Sequence, residues 1–412
     1  MGAFTNTFGK FHNWSMLNQD NLIASFTVNT ILGQLDWTDR YAGLAAYEVY
    51  SSTNGGVNVL LTTTANGITS YQDTSCKQNA KVVYSIVPKI GSVYKLKSKA
   101  STLSTPLCWK TNQSTLTPVT FTDLNVIEGK TITVNWGDGT SQSYSGNTAT
   151  VTKNYSATGQ YNISITGDVD YIIVLWHNAQ AKTYGVITNW ILPSSLATLA
   201  IFSTGLTGSL TNWVFPAGLT YFNIASTSLT GVVTNWILPS MLATFSLGAT
   251  SLTGEVTNWV LPGSLTYFTF NSTAITGVIS NWIIPAGITT FNVASTGVSG
   301  SLPQITASAS ALSYSANAAS LSDSNASVFR KNMTVFNVSS QKVAFSTTNV
   351  NKVLKALADF YQLNAPTANC TINISGANMG IPTGGASNAD LTRLVGYYTA
   401  VSKSCTVLVR TS

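Results

Sequence analysis

His12 and His177 are the two imidazoles in 412 residues, and Cys76, Cys108, Cys370 and Cys405 are the four thiols. Serine-type nucleophilic catalysis needs an imidazole held between a hydroxyl and an acid. His12 sits in GKFHNW and His177 in LWHNAQ, and neither context supplies the other two partners. Glycoside cleavage needs two carboxylates flanking one sugar bond, yet from Thr183 to Ser322 the single charged residue is Glu255. Zinc needs closely spaced Cys and His, and the cysteines form no CxxC pair. No phosphate-cradling loop or dinucleotide fingerprint occurs. Asp138, between Gly137 and Gly139, is better read as a turn cap than as a metal ligand. The chain is therefore expected to be no enzyme and to hold no metal and no cofactor.

Charged residues make up 8% of the chain, against about 25% in ordinary domains. No apolar run approaches the roughly 20 residues that span a bilayer, so membrane insertion is not expected. The apolar residues alternate with Thr, Ser, Asn and Gly instead, as in all-β domains whose outer faces carry hydroxyls and amides. The net charge of +6 is partly local, in Lys77, Lys81, Lys89, Lys95, Lys97 and Lys99. Without aromatics interleaved on one face, this reads as a basic strand and not as a nucleic-acid site. The length implies two to four domains.

From Tyr184 the chain is periodic. Asn-Trp recurs at Trp190, Trp213, Trp236, Trp259 and Trp282, 23 residues apart each time. Pro193, Pro216, Pro239, Pro262 and Pro285 keep the same register, as do the glycines that end each Leu/Ile/Val-Thr/Ser-Gly run, from Gly208 to Gly300. A fixed period of this kind signals a solenoid, whose turns bury a core only by stacking. The inner pattern LxxLxLxxTxLTG, as in Leu242, Phe245, Leu247, Thr250 and Leu252, resembles the leucine-rich repeat. Thr stands where that family has Asn, and the family's Asn bonds the backbone of adjacent turns. The trailing LTG is similar to the form without a long outer helix. Each LxL is expected to turn alternate side chains inward on a short parallel strand.

The outward positions form two rows. One is Thr198, Tyr221, Thr244, Tyr267 and Thr290; the other is Ala200, Asn223, Ser246, Thr269 and Asn292. A concave surface with Tyr221, Tyr267, Asn223, Asn292 and Thr244 suits uncharged polyols, because rings stack on sugar faces and amides bond hydroxyls. The same residues are also ordinary β-formers on a solvated strand face.

Residues 1–21 read as an attachment arm, with Phe4, Phe8, Phe11 and Trp14 at helical spacing. The arm docks either onto an assembly partner or onto the next domain. It has no basic stretch followed by an apolar one and is not read as a secretory leader. That leaves a removed leader, a dedicated secretion route, or a virion component released by lysis. Residues 22–98 carry Trp37, the YEVYSSTNGG hairpin, Tyr71 and VVYSIVP, and resemble a fibronectin type III domain. Residues 99–112 read as a flexible Ser/Thr linker. Residues 113–170 carry the WGDG turn from Trp136 to Gly139 and resemble a PKD-type immunoglobulin-like domain. The solenoid spans 171–345, and residues 346–412 alternate helical and strand patterns as an α/β cap. In the cap, Cys370 and Cys405 open equivalent strands, either as a disulfide or as two buried thiols.

The expected fold is thus mainly β and modular: two Ig-like β-sandwiches, a leucine-rich-repeat-type parallel β-solenoid and an α/β cap, in a rod with flexible joints. This order of modules resembles structural proteins of tailed bacteriophages, of the tail-fibre, tail-tip or head-decoration type. The resemblance implies a non-enzymatic virion protein, assembled in the host cytoplasm in many copies or as an oligomer. Its implied partners are other virion proteins through the arm and a host-surface glycan or protein through the solenoid. Alternatives are a bacterial cell-surface leucine-rich-repeat adhesin and a purely structural capsid decoration.

Overall fold

The computed structural model describes residues 26–29, 34–38, 41–53, 57–72, 81–94, 101–104, 107–148, 150–178, 182–188, 190–301, 304–305, 312–315, 320–323, 333–339, 346–376, 379 and 381–409. The arm residues Phe4, Phe8, Phe11 and Trp14 lie outside the described residues. The chain is mainly β, with a β-solenoid of about five turns in its central to C-terminal region. Among the described residues there are two α-helices, Thr347–Leu363 and Ala389–Ala400.

Each turn contributes one strand to each of two parallel sheets. In the first sheet, Thr198–Ala200, Tyr221–Asn223, Thr244–Ser246, Tyr267–Thr269 and Thr290–Asn292 pair with equivalent residues opposite one another. Leu199, Phe222, Phe245, Phe268 and Phe291 point into the core, and the Phe rings stack 5.5–5.8 Å apart. In the second sheet, Gly205–Ser209, Ser228–Val232, Ser251–Glu255, Ala274–Val278 and Gly297–Ser301 pair with an offset. Thr207 faces Ser228, two residues short of its equivalent, Thr230. That offset sets equivalent residues farther apart than the about 4.8 Å between neighbouring strands.

The repeated residues are the joints of each turn. Pro216, Pro239 and Pro262 start β-turns whose carbonyls accept from Leu219, Leu242 and Leu265 at 3.1 Å. Each tryptophan is buried beyond the second sheet; Trp236 and Trp259 donate Nε1–H to carbonyls of the preceding turn at 3.3 Å. The hydroxyls of Thr188, Thr211, Thr234, Thr257 and Ser280 accept a backbone N–H of the following turn at 2.8–2.9 Å.

The buried threonines that follow each strand of the first sheet behave differently. Thr204, Thr227, Thr250, Thr273 and Thr296 donate to a carbonyl three residues earlier in their own turn, at 2.7–2.9 Å. A single short hydroxyl can satisfy the kink but does not also span to the next turn. The cross-turn role falls to the other threonines.

Within the span expected as a linker, the described residues 101–104 and 107–112 are strand. Ser101–Ser104 pairs antiparallel with Lys81–Tyr84. Leu107–Gln113 is a strand, antiparallel to Gly159–Ile165 on one side and to Thr183–Tyr184 of the solenoid on the other. Its Leu107 and Trp109 are buried. Likewise Ile172–Trp176 is antiparallel to Asp123–Val126 and parallel to Thr198–Ala200. Both solenoid sheets thus run on into the antiparallel strands of residues 107–176, over one continuous core. Leu35, Trp37, Tyr47, Val49, Tyr84 and Ile86 form a separate core.

At the other end the first sheet continues through Leu312–Ser315, Met333–Asn337, Cys370–Ile374 and Cys405–Val409. A helix precedes each of the last two strands, capped by Ser346 and by Asn388. Cys370 and Cys405 are direct neighbours across the last pair and are free thiols. Burial pushes them up to about 11 and about 12, so they stay neutral at ordinary pH.

Gly254 has φ +118, and a Cβ there would lie 2.9 Å from the backbone nitrogen of Val233. Gly254→Ala is expected to destabilise by about 1–3 kcal/mol through strained backbone, with the clash adding to it. Nothing lies within 4 Å of a Cβ built on Gly218, and Gly218→Ala should stabilise by about 0.4–1 kcal/mol. Denaturant titration of both variants checks the contrast.

Candidate binding face of the solenoid

The outer side of the first sheet carries both predicted rows, but unequally. In the first row Thr198, Tyr221, Thr244 and Thr290 are half-buried, and Tyr267 is the most open at 40% exposure. The second row is largely closed. Ala200, Ser246 and Thr269 are buried, and only Asn223 and Asn292 are half-open. Those two asparagines are also engaged: each Oδ1 accepts the N–H two residues on, from Ala225 and Ala294, at 3.1 Å. They hold the exit of the strand, leaving their amide nitrogens as donors. The structure thus brings Tyr221, Thr244 and Tyr267 onto one face and makes Asn223 and Asn292 turn-formers first.

Trp176 belongs to this face and was not among the predicted residues. It lies in register with Ala200, at the head of the second row. Its ring stacks on Tyr221 with centroids 5.3 Å apart and planes 23° from parallel. The two rings meet across the strand Thr198–Ala200, which accounts for the complete burial of Ala200. Directly across from Trp176 is Asp123, whose Oδ1 is buried without a hydrogen-bond partner. Burial raises the Asp123 pKa, against hydrogen bonds that lower it. The only sequence signal for Trp176 was its position in IIVLWHN, one turn before the first clear repeat.

The face is chemically quiet. Glu255, the one charge in the repeats, lies on the second sheet and accepts from Thr257 at 2.7 Å. Among the described residues no group of three His, Cys, Asp or Glu is arranged to hold a metal. Asp138 caps its turn: Oδ1 accepts from the N–H and hydroxyl of Thr140 at 3.0 and 2.6 Å, and Oδ2 pairs with Lys153 at 2.6 Å. Burial acts to raise its pKa, but the bonds from Lys153 and Thr140 outweigh this and hold it low.

His177 is buried at the entrance to the solenoid. It is fully enclosed between Trp109 and Phe121, bonded to the Thr120 carbonyl at 3.0 Å and the Thr183 hydroxyl at 2.8 Å. Burial depresses its pKa to about 4, against a partial lift from the Thr120 carbonyl. Folding therefore favours the neutral ring. The stability this contributes is complete above the unfolded value of about 6.5 and is lost as pH falls towards 4. The full loss is about 3 kcal/mol. Unfolding titrations of the parent between neutral pH and about pH 4 should show it, and His177→Gln should flatten that part of the slope.

No family model matches the chain, and neither does any curated protein or solved structure with which it was compared.

Proposed function

We propose that the chain is a non-enzymatic structural and adhesion protein of a tailed-phage virion, which presents the outer side of its first solenoid sheet to a neutral glycan on the host surface. The observation that carries this is the aromatic arrangement on an uncharged sheet. Trp176 and Tyr221 form a stacked pair, and Tyr267 stands two strands further along with Thr244 between. Two strand spacings of about 4.8 Å separate Tyr221 from Tyr267, a reach of the order of a disaccharide. Rings at that spacing offer faces to pyranose C–H groups, and the flanking hydroxyls bond sugar hydroxyls.

The finer architecture belongs to the same proposal. The strands before Leu107 are read as a fibronectin type III-like sandwich, supported by Trp37 packed edge-on to Tyr47 at 5.3 Å. The strands of 107–176 are read as PKD-like, supported by the Asp138 cap and by the Tyr155 hydroxyl donating to the Trp136 carbonyl at 2.8 Å. The solenoid is read as leucine-rich-repeat-type from its inward LxL ladder and its offset second sheet. A disulfide at Cys108 accords with work outside a reducing cytosol.

The test is binding of the full chain, displayed in many copies, to a panel of neutral and acidic glycans. Parent binding should fall on neutral sugars and change little with salt, because no ions are displaced. Tyr221→Ser with Tyr267→Ser should keep the fold and lose about tenfold or more in binding, as aromatic anchors do. Equal binding by the double variant, or binding that collapses as salt is raised, would overturn the reading. Loss of binding after protease treatment of host cells would move the target to a surface protein.

A further inference from the structure

Ile191, Val214, Ile237, Val260 and Ile283 occupy one position in five successive turns, directly after the buried tryptophan, and are 61–85% exposed. The repeated tryptophan, proline, glycine and threonine each serve the solenoid itself, in core, turn, close approach or cross-turn bond. This position faces outward and is apolar every time. Threonine has the same branched shape and is used freely elsewhere in the repeats, but never here. A position on the second sheet that is exposed or half-buried from turn to turn is not held apolar: it reads Val186, Ser209, Val232, Glu255, Val278 and Ser301. Between the last two turns Val260, Leu261 and Ile283, with Trp259 and Trp282, line a groove of about 470 Å³. Contiguous exposed apolar surface of this kind marks an interaction site.

We propose that this stripe is the interface between two copies of the chain, paired antiparallel about a two-fold axis through Ile237. Two features select a second copy. The flank carries no charge to attract an ionic partner, since Glu255 is the single charged residue from Thr183 to Ser322. An apolar ridge stepped once per turn is matched in step by the same ridge; the adjacent tryptophan rings step by 6.5 Å. A two-fold axis crossing the stripe at Ile237 keeps the two ridges in step along their whole length: Ile191 meets Ile283, Val214 meets Val260, and Ile237 meets its own copy. A single row of aliphatics buries less than the about 800 Å² per partner of a standard stable interface, so the pairing is weak and reversible. It stands independently of the glycan reading.

Sedimentation of the full chain from low to several hundred micromolar should show a monomer–dimer equilibrium. Val214→Thr, Ile237→Thr and Val260→Thr together should abolish it while circular dichroism stays unchanged. Should that variant misfold, cysteine cross-linking gives a second reading on near-native chains. Under mild oxidation Ile237→Cys should yield covalent dimer well above the parent's background. Ile191→Cys should do so only when mixed with Ile283→Cys. A parent that stays monomeric throughout, a folded triple variant that still dimerises, or self-linking of Ile191→Cys as strong as that of Ile237→Cys overturns the proposal.

Discussion

Every turn of the first sheet lies directly on its own copy, and that register governs the chain's composition. A charge placed there would face the same charge about 4.8 Å away on the next strand, which destabilises a sheet. Hydroxyls, amides and rings tolerate self-stacking, and they are what the sheet carries. Glu255 fits the same logic. It lies on the second sheet, where the two-residue offset puts it opposite Thr276 and not its own equivalent, Val278.

An open solenoid end exposes both core and strand edges, so both ends must be covered. The two covers work differently. At the start, Leu107–Gln113 and Ile172–Trp176 turn the parallel ladders into antiparallel ones without interrupting the core. His177, Trp109 and Phe121 fill the junction. At the finish, helices lie over the widening turns and charge returns: Arg393 bridges Asp390 at 2.7 Å and Asp359 at 3.1 Å. Ionic side chains reappear on the helices, off the stacked strands.

The period, the inward LxL positions and the helical segments near the C-terminus were legible because each repeats or has a strong pattern. The strand Leu107–Gln113 was not. Its neighbours in the sheet are some 50 to 70 residues away in sequence, and a run of Ser and Thr before it looks like a linker. The second sheet was also hidden, since the glycine inside each run weakens the strand signal and the pairing is offset. At the binding face, Tyr221 and Tyr267 were readable from their row. Trp176 was not, because it reaches Tyr221 diagonally across an intervening strand, and no spacing rule within one row finds it. The burial of Ser246 and Thr269 was equally invisible to simple alternation.

The uniform register has a consequence for length. Each turn presents to the next the surface it received from the one before, and both end covers dock on that surface. A chain with one whole turn removed or added would therefore still close at both ends. Insertions of any other size break the Thr-to-backbone ladder and the glycine approach at once. The solenoid is built to change its reach in whole turns while its termini stay constant.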